Sequence, residues 1–416
     1  MALKKSFLLL TTLVLAATAT PLKSSSDGTA IPLRTRKSLT KQNGVFDLQE
    51  AIAQNERTKN KHRQNIVNYH RNELSEVNST ATISSEPDLD KRQSESLTDQ
   101  QYDTEWTGTI SIGTPGQEFL IDFDTGSSDI WVPNSACTSR TCSHKKKYNH
   151  MASSTSETAD GKFEIHYGDG STVSGPIYKD TVNVAGIRAE GQYFSAVTSL
   201  SRSFENSPDD GVFGLAFRRI SNIGRDTFID NAYAQGAISS KVFSFFLAQQ
   251  GSELYLGGAN SKHYTGAIEY HSIIDSGFWQ IPGVSVWNGE NNVAGGLSAV
   301  IDSGTTIMYG PPEAVRQFYA TIPGAKVFDS ASGLYSFPCN STPSLSFSWG
   351  GELWTVSPQD FNLGLTAEGA STCVGALGGQ NVGLGPGAWL LGDSFMKGVY
   401  TVFNAENMAI GFAQLA

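Results

Sequence analysis

Along most of this chain the apolar positions fall in short runs of period two, broken by turn residues, which is the pattern of half-buried β-strands. "WTGTISIGTPGQEFLIDFD", from Trp106 to Asp124, alternates and breaks at Gly113-Thr-Pro-Gly, predicting a hairpin. "KFEIHYGDGSTVSG", from Lys162 to Gly175, predicts a second hairpin that turns on Gly168, Asp169 and Gly170. Helical periodicity is confined to short stretches such as "DTFIDNAYAQG" and "PPEAVRQFYATI". A mostly-β protein follows.

The start of the chain reads differently. "MALKKSFLLLTTLVLAATATP" places Lys4 and Lys5 before an apolar run to about Val14 and then small residues, which predicts a cleaved secretory signal over residues 1–20. That run is too short to span a bilayer, and no later one is long enough, so no membrane association is expected. Residues 21–92 contain no Cys or Trp and few large apolar side chains, and they end in "DLDKRQSES", where the dibasic pair Lys91-Arg92 marks a processing site in a polar stretch. This segment is either a solvated linker or a propeptide.

Composition sharpens that choice. After Arg92 the chain carries 16 basic and 31 acidic residues, whereas the segment before it is neutral to basic. A leader whose cations dock onto an acidic cleft fits this asymmetry, with Arg57, Lys59, Lys61, Arg63 and Arg71 as candidates and no basis for choosing among them. So acidic a body repels phosphate and argues against nucleic acid as a partner. The 416 residues leave room for two or three domains, and 42 glycines with 10% aromatics suit a β-rich fold. The four cysteines, Cys137, Cys142, Cys339 and Cys373, allow three pairings, of which the local one is the most economical. No C-x-x-C or clustered His accompanies them, so no metal is expected.

"FLIDFDTGSSDIWVP" sets three carboxylates, Asp122, Asp124 and Asp129, in an apolar run, and buried carboxylates are costly unless partnered. An internal repeat singles one out. "LSAVIDSGTTIMYGP", from Leu297 to Pro311, aligns Asp302 with Asp124 and leaves Asp122 and Asp129 unmatched. Each motif is followed 90 residues later by an apolar run ending in Gly: Gly214 in "GVFGLAF" and Gly392 in "WLLGDSF". Two similar halves, each offering one Asp on a tight turn, predict two carboxylates facing each other across an axis. Such a pair shares a proton and supplies an acid and a base in one site, the aspartic-protease dyad being the standard instance. Asp129 is expected on a turn or at the surface, and Lys145-Lys146-Lys147 in a solvated loop.

These motifs resemble those of pepsin-like aspartic endopeptidases, and more narrowly their secreted fungal members. The match runs from about Thr104 to the C-terminus and includes "DFDTGSSDIWVP", "YGDGS", "DDGVFGLAF", "SELYLGGANSKHYTGAI", "GFWQI", "VIDSGTT" and "LLGDSFMKGVYTVFNAENMAIGFA". The resemblance implies a bilobal β fold with lobes over residues 93–271 and 272–416 and a cleft between them. It implies that Asp124 and Asp302 hold the attacking water, that Thr125 and Ser303 clamp the two loops, and that Ser127 and Thr305 donate to the carboxylates. Gly126 and Gly304 bring backbone amides close. Tyr167 matches a flap tyrosine bonded to Trp131, with Gly168 and Asp169 contacting substrate. The spacings match the family's disulfides, Cys137–Cys142 and Cys339–Cys373. Ser303 departs from the commoner Thr but keeps the hydroxyl. Asp122, two residues before Asp124 on one strand, turns to the same side, toward the cleft. Asp169 either simply shapes its turn or, as the resemblance implies, accepts a substrate Lys just before the cleaved bond.

Other chemistries find less support. "GDSFM" lacks the closing Gly of a serine nucleophile elbow, and no H-E-x-x-H occurs among the seven histidines. A silent pepsin-fold binding or inhibitor protein remains the alternative, against the presence of every motif residue. The expectation is a monomeric acid endopeptidase, secreted or less plausibly vacuolar, acting on polypeptides without a cofactor and inhibited by its own leader. Asn78 and Asn340 open glycosylation motifs.

Overall fold

The computed structural model describes residues 28–35, 39–76, 106–166, 172–248, 250–341 and 343–416. The secretory signal, Lys91-Arg92 and the hairpin tip with Tyr167, Gly168 and Asp169 lie outside them. The described chain is mostly strands in four sheets. The predicted hairpins form, strand Trp106–Ile112 pairing with Gln117–Asp124 and Glu157–His166 with Thr172–Val184.

The repeat becomes a repeated topology. In the first half, strand Gln117–Asp124 runs parallel to Gly211–Gly214, which pairs antiparallel with Ile130–Pro133, itself parallel to Ile187–Val197. In the second half, Asn291–Ile301 runs parallel to Ala388–Leu391, which bridges antiparallel to Met308–Gly310, itself parallel to Leu377–Gly379. The register sets Asp124 opposite Gly214, which accounts for the spacing of motif and glycine. A Cβ at Gly214 would press on the Ser128–Asp129 backbone, and one at Gly392 on Thr305 O, so only glycine lets the motif turn pack there.

A six-stranded sheet joins the halves. Its strands Val242–Phe246, Glu253–Leu256 and Tyr264–Ser272 precede the second motif, and Tyr400–Asn404 and Ala409–Leu415 close the chain. Strand Thr29–Pro32 adds at its edge, against Glu253–Leu256. The expected lobe boundary at His271 and Ser272 thus falls at the end of a strand in the shared sheet. The core is continuous, with Trp106, Phe123, Trp279, Trp389 and Phe403 fully buried in it.

One element departs from the sequence reading. Residues Leu48–Glu76 form a 29-residue helix, the longest in the described chain, in a segment that gave no apolar helical period. Its buried stripe is polar: Gln54, Thr58, Lys61, Asn65, Asn68 and Asn72 recur every three or four residues down one face. No described helix is long and apolar enough to cross a membrane.

Candidate active site

The motif turns meet back to back. Thr125 N donates to Ser303 Oγ at 3.0 Å and Ser303 N to Thr125 Oγ1 at 2.9 Å. Each hydroxyl then donates to the opposite strand, Thr125 Oγ1 to Ile301 O at 3.0 Å and Ser303 Oγ to Phe123 O at 2.6 Å. All four groups are buried, so this reciprocal clamp fixes the spacing of the halves.

Above the clamp, Asp124 and Asp302 are 3% and 0% exposed. Asp124 accepts from Gly126 N at 2.9 Å and Ser127 Oγ at 2.5 Å, and Asp302 accepts from Gly304 N at 3.0 Å and Thr305 Oγ1 at 2.7 Å. The glycines are required across the axis. A Cβ on Gly126 would collide with the Asp302 carboxylate, and one on Gly304 with that of Asp124.

The helix Leu48–Glu76 fills the cleft over this pair. Lys61 Nζ lies 2.9 Å from Asp124 Oδ1 and 3.0 Å from Asp302 Oδ1, with Gly304 O at 3.5 Å. His62, fully buried, sets Nε2 3.1 Å from Asp302 Oδ2, while its Nδ1 meets no hydrogen-bond partner among the described residues. Asn65 donates to Gly126 O at 2.7 Å and Asn68 to Ile220 O at 3.1 Å. Asn72 donates to Ser221 O at 2.9 Å and Arg71 to Asn222 O at 2.8 Å. Arg57 lies over the Phe204 ring and donates to Ser203 O. The helix is therefore held by donors aimed at cleft acceptors together with the apolar contacts of Leu48, Ala51, Ile66 and Tyr69 against the core.

Charge is unevenly shared. Burial alone would raise Asp302, but Lys61 and then His62 hold it well below the usual carboxylate range. Burial raises Asp124 against the opposing pull of Lys61. Burial would lower Lys61, and the two carboxylates reverse this and raise it. His62 is lowered by burial despite its bond to Asp302. One ammonium thus bridges one firmly ionised and one more readily protonated carboxyl group.

Around the helix remains a cavity of about 100 Å³, lined by Asp122, Asp124, Trp131, Phe163, Phe204 and Asp209 among others. Asp122 faces it beside Asp124, and Trp131 packs edge-on to Phe204 at 5.2 Å. One reading of a bystander is corrected. Asp129 is no surface carboxylate: it accepts from Ser221 Oγ and Asn222 N at 2.6 Å and Ile223 N at 3.1 Å, tying down the loop that receives Asn68 and Asn72. The lysines of 145–147 lie in a loop with Lys146 exposed, and Lys145 and Lys147 also donate to Ser207 O at 2.9 Å and Cys137 O at 2.8 Å. The disulfides are Cys137–Cys142 and Cys339–Cys373.

The reading of the sequence left the choice of cation open and missed His62 and the Asn ladder. Their signal was present as a polar stripe of period 3.5, from Gln54 to Asn72, in a segment searched only for apolar periodicity.

Comparison with known proteins agrees with this architecture. Residues 105–415 match the eukaryotic aspartyl protease family. The chain is 45% identical over 325 residues to an aspartic protease of Phaffia rhodozyma, covering 76% of this chain and 78% of that protein. It is 35% identical over 321 residues to pepsin A of Sus scrofa, covering 76% and 82%, and 34% identical over 339 residues to cathepsin D of Homo sapiens, covering 76% and 81%.

Proposed function

This chain belongs to the eukaryotic aspartyl protease family and is an aspartic endopeptidase, and from that premise we propose that it is a secreted zymogen active at acidic pH, with Asp124 and Asp302 as its catalytic pair. The observation that carries the reading is Lys61, set between two carboxylates on mirrored turns, at the place a shared water would take.

In the processed enzyme one carboxylate of the pair takes a proton from water as the oxygen adds to the scissile carbonyl. The protonated partner gives its proton to the carbonyl oxygen, forming a gem-diol without a covalent enzyme intermediate. Collapse returns a proton to one carboxyl, passes one to the departing nitrogen, and breaks the C–N bond. Gly126, Ser127, Gly304 and Thr305 hold the carboxylates through these steps, and Thr125 and Ser303 hold the turns.

Residues 1–20 are the secretory signal and 21–92 the leader, removed at or near Lys91-Arg92. Release outside the cell is the reading, with a vacuole as the alternative destination. The enzyme acts as a monomer on polypeptides. Tyr167, Gly168 and Asp169 contact substrate from the hairpin tip, with Asp169 favouring a Lys side chain before the cleaved bond and Asp122 facing the cleft beside Asp124. The surplus of acid after Arg92 further favours low pH, because self-repulsion eases as carboxylates protonate.

The test is the pH profile of peptide cleavage by the processed enzyme, with and without a transition-state mimic of peptide hydrolysis. Cleavage that peaks in acid and stops with the mimic is expected. An optimum near pH 8 overturns the acid reading, and indifference to the mimic overturns the dyad.

A further inference from the structure

The leader makes a second, separate contact that the inhibition of the dyad does not require. Residues Leu39–Asp47 fold back on themselves, with Asp47 N donating to Leu39 O at 2.6 Å, and lie along the strand Asn362–Leu365. That strand is one of the two outer strands of the four-stranded sheet, the other being Lys326–Asp329, which carries Phe328. The contact is a single parallel β-bridge. Phe46 N donates to Leu365 O at 2.9 Å, Leu365 N donates to Gly44 O at 2.8 Å, and Val45 bridges parallel to Leu365. Thr40 Oγ1 adds a bond to Leu363 O at 2.8 Å. Two apolar anchors accompany the backbone bonds. Leu39 is 2% and Phe46 4% exposed, and the Phe46 ring meets Phe328 edge-on at 6.0 Å. This segment buries hydrophobic side chains in the core cluster that includes Leu363, Leu365 and Phe328.

Removal of the leader, which is part of the function proposed above, uncovers this seat. It then presents unpaired backbone groups of a sheet edge beside an apolar hollow, the arrangement that captures extended peptides. We propose that in the processed enzyme the edge Asn362–Leu365 is a secondary substrate site, which takes an extended polypeptide segment bearing an aromatic or branched apolar residue in the place of Phe46. The occupant is specified by what sits there now: backbone groups paired with Leu365 and two apolar anchors, of which Phe46 is the larger. Its distance from the dyad sets the substrate length. The helix runs from Leu48 to Lys61, about 20 Å at 1.5 Å per residue, and about six extended residues cover that span. Short peptides that fill the cleft cannot reach it, whereas an unfolded protein does.

The experiment compares the processed enzyme on a hexapeptide centred on the cleaved bond and on the same sequence extended by about ten residues at each end, carrying Phe in the extensions. The extended substrate is expected to show the higher kcat/KM. Phe328→Ala is expected to lower kcat/KM for the extended substrate by about fivefold, a usual loss for an apolar anchor, and to leave the hexapeptide unchanged. In the unaltered enzyme, a synthetic peptide of residues 39–47 should inhibit cleavage of the extended substrate only, and its Phe46→Ala form should not inhibit. Equal inhibition of both substrates would place the peptide in the cleft and overturn the proposal. So would equal cleavage of the two substrates combined with no effect of Phe328→Ala. Failure of the unaltered enzyme to cleave even the hexapeptide overturns the protease reading beneath it, a different result from loss of length dependence alone.

Discussion

Around Asp124 and around Asp302 the same set of bonds recurs: a glycine amide two residues on, a hydroxyl three residues on, and a reciprocal hydroxyl clamp below. Only Asp302 also meets His62, and only Asp302 is held well below the ordinary carboxylate range. The repeated fold makes the half-sites alike, and the helix in the cleft makes them unlike. A symmetric pair is poised to share a proton, whereas one bridged by a lysine and flanked on one side by a histidine is held in a single charge state. On the zymogen reading proposed above, silencing needs no distortion of the site.

The largest test of that comparison removes one carboxylate at a time. Asp124→Asn and Asp302→Asn are each expected to lower kcat on the order of 10³–10⁴-fold with an unchanged circular dichroism spectrum, because acid and base roles both need the pair. The two should differ toward the leader, since Asp302→Asn removes partners of both Lys61 and His62. Near-normal turnover in either variant would break the pairing.

Lys61→Met asks whether the bridging ammonium holds the helix down. Leaving two buried carboxylates without their cation costs roughly 3–5 kcal/mol. The uncleaved precursor, silent at pH 7 with Lys61, should then show helix release by hydrogen exchange and measurable peptide cleavage. A precursor that stays closed would assign the docking to the Asn ladder instead.

Asp169→Thr probes the hairpin, which belongs to the Asp124 half. A charged hydrogen bond to a substrate Lys is worth about 1.5–3 kcal/mol, so kcat/KM for peptides with Lys before the cleaved bond should fall about tenfold or more while Phe peptides are spared. Equal losses would make Asp169 a turn residue only.

The smallest effect concerns pH, and its sign follows from the shifts. Burial lowers His62 in the docked state, so the released helix binds that proton more tightly. Docking is then full above about pH 6.5 and weakens as pH falls below it. The depressed Asp302 has the same sign at lower pH, its contribution being lost as pH falls through its docked value, while the raised Lys61 keeps its contribution in acid. The groups facing His62 are Asp302, Asp124 and Lys61. In His62→Phe the release curve should be shallower and should no longer begin near pH 6.5, as followed by helix exchange against pH. An unchanged onset would assign the response to the carboxylates alone.

How much of this was legible varies by element. The hairpins at Gly113–Gly116 and around residue 168, the helices near Phe228 and Pro312, and the mostly-β class were readable because turn residues and period-two runs act locally. The helix Leu48–Glu76 was not. Its face is buried through Asn, Lys and His, and a search for apolar periodicity passes over such a face. Asp129 was misplaced for a similar reason, because its partners Ser221, Asn222 and Ile223 lie more than ninety residues away.

The sequence by itself determined the repeat, with Asp124 and Asp302 each 90 residues ahead of a glycine, and so the pairing of two carboxylates on equivalent turns. Repetition of a motif needs no coordinates to be read. Which of five basic residues meets those carboxylates was decided only by the tertiary structure. Arg57, Lys59, Lys61, Arg63 and Arg71 are alike as a run of charge. The helical period and the seating of Leu39, Phe46, Asn65, Asn68 and Asn72 on distant acceptors and apolar seats fix the rotation and the depth that bring Lys61 alone between the two aspartates.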